Sequence, residues 1–96
     1  MVDPKTREFI RTTIRSYFPD PAVKAFIFGS RTYHRHHPYS DIDVGVAGDR
    51  PVPADTLIRI RELFEKSSLP VHVDVVDFAS VSKDFIRIAG TSTIAL

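Results

Sequence analysis

The sequence predicts a small α/β or α+β domain, and three observations carry that prediction. Apolar residues recur at helical spacing in two long stretches. They alternate or cluster as short strands in three others. The two kinds of stretch take turns along the chain, which is the pattern of a small sheet with helices packed on it. The 96 residues contain no repeat, low-complexity tract or linker, so residues 1–96 read as one domain. That length is near the lower end at which a single core stabilises a fold unaided.

The elements follow in order. Asp3 is an N-cap before proline at the first helical position, and Phe9, Ile10, Thr13, Ile14, Tyr17 and Phe18 mark an amphipathic helix over 4–18. Pro19-Asp20-Pro21 stops it. Residues 22–28 (AVKAFIF) form a strand broken by Gly29-Ser30. Residues 41–47 form a second, in which Ile42, Val44 and Val46 alternate with Asp41, Asp43 and Gly45. A polar loop over 48–53 leads to a helix over 54–67, with Leu57, Ile60, Leu63 and Phe64 near one face. Residues 71–78 (VHVDVVDF) form a valine-rich third strand. Ser80 and Ser82 are candidate caps of a short helix ending at Ala89 and stopped by Gly90. The tail 91–96 is expected to add a short edge strand.

Composition excludes several chemistries. With no cysteine there is no disulfide, thiolate nucleophile or zinc–thiolate site. No apolar run approaches the roughly 20 residues needed to span a bilayer, and residues 1–5 lack a signal-peptide core, so a soluble cytoplasmic domain without a membrane partner is expected. Thirteen Lys and Arg against twelve Asp and Glu give a net charge of +1. That balance lacks the strong basic excess of a nucleic-acid binder.

The carboxylates carry the chemistry. Asp41 and Asp43, at i and i+2 of a strand, project from one face about 6.6 Å apart along it. Such a pair can share two hard cations roughly 3.5–4 Å apart, and Mg²⁺ characteristically takes one or two carboxylates plus substrate phosphate. In the third strand His72, Asp74 and Val76 share the face opposite Val71, Val73 and Val75, so two neighbouring strands can present three carboxylates together. Gly29 lets the backbone approach a ligand closely, and Ser30 with the amides after it can open a turn that holds phosphate oxygens.

Gly29-Ser30-Arg31, then Ser40-Asp41-Ile42-Asp43, then Val73-Asp74-Val75-Val76 together resemble the minimal nucleotidyltransferases of the DNA polymerase β superfamily. The likeness extends over most of the chain and implies the nucleotidyltransferase fold, a small mixed β-sheet flanked by helices. It implies that Asp41 and Asp43 ligate two metal ions, Mg²⁺ or alternatively Mn²⁺, and that Asp74 completes the acceptor-side site and helps remove the acceptor's proton. Gly29, Ser30, Arg31 and Ser40 would bind the nucleotide. The reaction would be in-line attack of a hydroxyl on the α-phosphate of a nucleoside triphosphate, ATP above all, with release of pyrophosphate. The sequence departs from the family at His34, where a small residue, often glycine, is common.

His34, His36 and His37, with Tyr33, Arg35 and Tyr39, lack the spacing of a zinc motif and read as the wall of the nucleotide or acceptor cleft. Arg7, Arg11 and Arg15 recur every four residues as a basic stripe, either a solvated face or a docking surface for an acidic protein or RNA. Chains of this minimal kind resemble the antitoxin that transfers AMP to a tyrosine of a HEPN-family toxin. A HEPN-type partner is therefore expected, with homo-oligomerisation open and nucleic acid not expected as a direct ligand. The alternative is a binding module that keeps the fold, lacks the activity and neutralises its partner by contact.

Overall fold

Asp3 and Pro4 start the first helix in the computed structural model, which describes residues 3–29, 41–81, 83 and 93–96. The Asp3 carboxylate accepts the Thr6 N–H at 3.2 Å, and helix α1 runs Pro4–Tyr17. It closes one residue before the expected end because Phe18 leaves helical geometry, at φ −130°, while its N–H still reaches the Ile14 carbonyl. Asp20 then folds the chain back, accepting the Ala22 N–H on its carboxylate at 2.9 Å and the Val23 N–H on its carbonyl at 3.0 Å. That turn consumes Ala22 and Val23, so strand β1 is Lys24–Phe28 and not the longer 22–28.

Strand β2 is Ile42–Ala47, helix α2 is Ala54–Glu65, strand β3 is Val73–Asp77 and strand β4 is Thr93–Ala95. Helix α2 stops two residues early because Ser67 turns inward, its hydroxyl donating to the Phe64 carbonyl at 2.6 Å. The short strand expected in the tail is present as β4. The helix expected over 82–89 lies outside the described residues, Lys83 excepted. Ser80, a candidate cap for it, donates its hydroxyl backwards to Asp77 at 2.8 Å.

The four strands lie in the order β3-β2-β1-β4. β1 pairs antiparallel with β2 and β4, while β2 pairs in parallel with β3, so the sheet is mixed. The parallel pair requires a crossover, and α2 supplies it. Period-two alternation sends Ala25, Ile27, Ile42, Val44, Val46, Val73 and Val75 to one face, where they join Ile10 and Ile14 of α1 and Ile60 and Phe64 of α2 in the core. Phe9 and Phe64 meet edge to face at 6.1 Å between the helices. Burying each such isoleucine or phenylalanine contributes about 1.5–3 kcal/mol, which fixes the register and hence which residues face away from the helices.

On that opposite face Phe26, Phe28 and Phe78 form an edge-on aromatic cluster, with Phe78 4.9 Å from Phe26 and 5.1 Å from Phe28. Gly45 lies under it: a Cβ there would stand 2.5 Å from the Phe26 ring and 2.7 Å from the Phe78 ring. Buried Asp77 closes the far end of β3, accepting from the Val52 N–H at 2.7 Å, the Ala79 N–H at 3.0 Å and the Ser80 hydroxyl. Arg61 of α2 donates from Nε and Nη2 to the Val75 carbonyl at 3.2 and 2.8 Å. Among the described residues β3 is an edge strand, so this guanidinium covers the middle of a sheet edge. No described helix is long and apolar enough to cross a membrane.

Candidate active site

The mixed pairing brings the carboxylates together. Asp43 stands in register between Phe28 of β1 and Asp74 of β3, and the parallel pairing makes Asp43 and Asp74 direct neighbours. Asp41 is exposed just before β2, and the Ile42 that separates it from Asp43 is buried in the core, as the alternation requires. Three carboxylates therefore collect at the end of the sheet where β1 finishes and β2 and β3 begin.

Gly29 closes this end from the β1 side. Its φ of +81° is a conformation that side chains rarely tolerate, and a Cβ there would approach Asp43 Oδ2 to 2.7 Å. The glycine is thus needed twice, for its backbone and for the space that Asp43 occupies. Ser30, Arg31 and Ser40, together with Tyr33, His34, Arg35, His36, His37 and Tyr39 of the histidine loop, lie outside the described residues.

Electrostatics make the cluster costly as it stands. Asp43 is half-buried, and that burial first, then the charges of Asp74 and Asp41, push its carboxyl above the ordinary aspartate range. His72 draws it partly back. A divalent cation would relieve this repulsion, and carboxylate oxygens are the donors that hard cations prefer. Among the described residues no group of three or more His, Asp or Glu side chains is placed to hold a metal ion by itself. Mg²⁺ sites usually take one or two carboxylates, with water and substrate phosphate completing the shell.

His72 and Glu65 are the site's less legible members. His72 immediately precedes β3, and its Nδ1 lies 3.5 Å from Glu65 Oε2 at the end of α2. The alternation along β3 put His72 on the carboxylate face, but nothing local in the sequence tied Glu65 to it. The two residues border a groove of about 260 Å³, lined also by Phe64, Leu69, Pro70 and Val71. A second cavity, of about 370 Å³, is lined by Phe18, Val23, Val46, Arg50 and Val52 among others. It lies at the other end of the sheet, where Lys24 pairs with Ala47, and takes no part in the carboxylate cluster.

The arginine stripe is engaged within the chain. Arg7 Nη2 donates to the Ala95 carbonyl at 2.6 Å, Arg11 pairs with Glu8, and Arg15 Nη1 donates to the Val23 carbonyl at 2.8 Å. Arg7 and Arg15 tie α1 to the sheet and to the turn before it.

Comparison with known proteins bears on the family and the fold. Residues 8–95 match the nucleotidyltransferase domain family. A probable protein adenylyltransferase MntA of Haemophilus influenzae is 35% identical over 89 residues, covering 91% of this chain and 76% of that protein. A crystal structure of a mutant MntA–HpeT toxin–antitoxin pair superposes with a TM-score of 0.73 at 21% identity, over 92% of this chain and 69% of its counterpart. A tri-AMPylated Shewanella oneidensis HEPN toxin in complex with an MNT antitoxin gives 0.62 at 20% identity, over 93% and 70%. The two structural likenesses are to the fold.

Proposed function

The chain belongs to the nucleotidyltransferase domain family and is a nucleotidyltransferase; from that premise we propose that it moves AMP from ATP onto a tyrosine hydroxyl of a HEPN-type toxin and so acts as its antitoxin. The observation that carries the catalytic part is the register that sets Asp43 beside Asp74, with Gly29 backed against the Asp43 carboxylate. The protein acceptor and the partner are supported by the name of the Haemophilus influenzae relative and by the toxin–antitoxin complexes that share the fold.

In this reading Asp41 and Asp43 hold two divalent ions, Mg²⁺ foremost, and Asp74 completes the site on the acceptor side. The bound ions supply charge neutralisation at the phosphates. The turn at Gly29, with Ser30, Arg31 and Ser40, holds the outer phosphates of the nucleotide. The acceptor oxygen forms a bond to the α-phosphorus while the bond from that phosphorus to the bridging oxygen breaks, and pyrophosphate leaves. Asp74 receives the acceptor's proton. Such a transfer is driven by positioning and electrostatics rather than by covalent chemistry of the protein.

The test is transfer of ³²P from α-labelled ATP, with Mg²⁺, to a purified HEPN-type toxin. Wild type should label the toxin, and Asp43→Asn should lower the rate by at least about 10³-fold, as befits loss of a group that organises the whole site. Labelling that survives Asp43→Asn would remove the carboxylates from the mechanism. A folded wild type that labels nothing, yet binds the toxin, would instead leave neutralisation by contact.

A further inference from the structure

We propose that His72, held by Glu65, and the groove beside it form the subsite that recognises the polypeptide carrying the acceptor hydroxyl. The inference rests on the nucleotidyltransferase reading above and adds a direction to it. Asp43 is flanked on one side by the end of β1 and Gly29, and on the other by Asp74. In an in-line displacement the attacking and leaving oxygens lie on opposite sides of the phosphorus. If the Gly29 turn holds the leaving phosphates, the acceptor must arrive from the β3 side.

His72 is the residue that meets it there. It is two positions before Asp74, just ahead of β3, and its carbonyl accepts the Ile42 N–H at 2.9 Å, which sets it alongside the start of β2 where Asp41 stands. Its side chain is half exposed, at 50%, so one edge of the ring is open to a partner while Nδ1 faces Glu65. Nε2, on the other edge, is free of that contact by the geometry of the ring. The groove continues from this point between the end of α2 and the approach to β3, and Phe64, Leu69, Pro70 and Val71 give it apolar side chains beside the polar pair. A polypeptide segment lying in it would rest against His72, two residues before Asp74 in the chain. The larger cavity beside Phe18 and Val52 lies at the wrong end of the sheet for this purpose.

His72 here contributes binding rather than proton transfer, and Glu65 is a positioning residue that acts through it. The test is steady-state transfer of labelled AMP to a purified HEPN-type toxin by wild type, His72→Ala, His72→Asn and Glu65→Gln. AMP release to water without toxin is measured in parallel. Loss of an interaction that binds ground and transition states alike raises KM and leaves kcat unchanged. His72→Ala should therefore raise KM for the toxin by about tenfold, a larger change than in either kcat or KM for ATP. His72→Asn, which keeps a polar contact, should fall between, and Glu65→Gln should shift KM for the toxin in the same direction by less. An unchanged KM for the toxin in all three variants overturns the proposal. So does a joint loss of kcat and ATP affinity, which would move His72 into the catalytic centre or the fold. A wild type without any transfer defeats the functional reading itself, a result distinct from both.

Discussion

Asp43 shows how one side chain is made to work against stability. Burial and two neighbouring carboxylates raise its pKa, so in the window between its ordinary and its raised value the folded chain binds more protons than the unfolded one. Stability therefore falls as pH rises through that window, and the penalty persists at all higher pH. In metal-free buffer Asp43→Asn should melt above wild type at neutral pH, and the gap should close as the pH is lowered through that same window, from the raised value down to the ordinary one. Thermal unfolding across a pH series reads this directly. A variant that is less stable than wild type at neutral pH would mean that Asp43 has a favourable partner there. This residue was legible in the sequence, because two aspartates at i and i+2 within an apolar alternation have few structural uses. Its neighbour across the strands, Asp74, was legible as a member of the same face, though not as its register partner.

At the scale of elements, β2 is the strand on which everything depends, and Gly45 shows the tolerance it allows. A Cβ at this position would meet rings from both β1 and the end of β3, neither of which is a flexible tip. Gly45→Ala should destabilise the chain by about 1–3 kcal/mol, the usual cost of overpacking, and chemical denaturation would show it as a lower midpoint with an unchanged slope. Helix α1, the three longer strands and helix α2 were all visible in the sequence to within two residues, since periodicity is a local signal. Their ends were less visible. Ala22 and Val23 look like strand by composition, and only the hydrogen bonds to Asp20 remove them from β1. The arginines of α1 read as a surface stripe, while Arg7 crosses to the Ala95 carbonyl at the far end of the chain and Arg15 to the Val23 carbonyl beyond the next turn. Contacts of that kind leave no periodic trace. Gly45, Asp77 and Glu65 were missed for the same reason: each is defined by what another segment brings to it.

For the whole molecule, the mixed sheet brings Asp41, Asp43 and Asp74 to one end and places the helices on its other face. Ligand binding should therefore report on the fold as a unit. Mg²⁺ with a non-transferable ATP analogue, at about a hundred times its dissociation constant, should stabilise wild type by about 2.7 kcal/mol through mass action alone. The same addition should do little for Asp41→Asn/Asp43→Asn, and a thermal-shift comparison separates the two. Equal stabilisation of both proteins would place the nucleotide elsewhere. One further consequence comes from Arg61. Strand β3 carries a valine-rich segment and, among the described residues, lies at an edge of the sheet, the setting that templates stacking of one copy upon another. By occupying the carbonyl at the middle of that edge, the Arg61 guanidinium takes away one of the acceptors that an added strand would need, which makes β3 a poorer seed for fibrils.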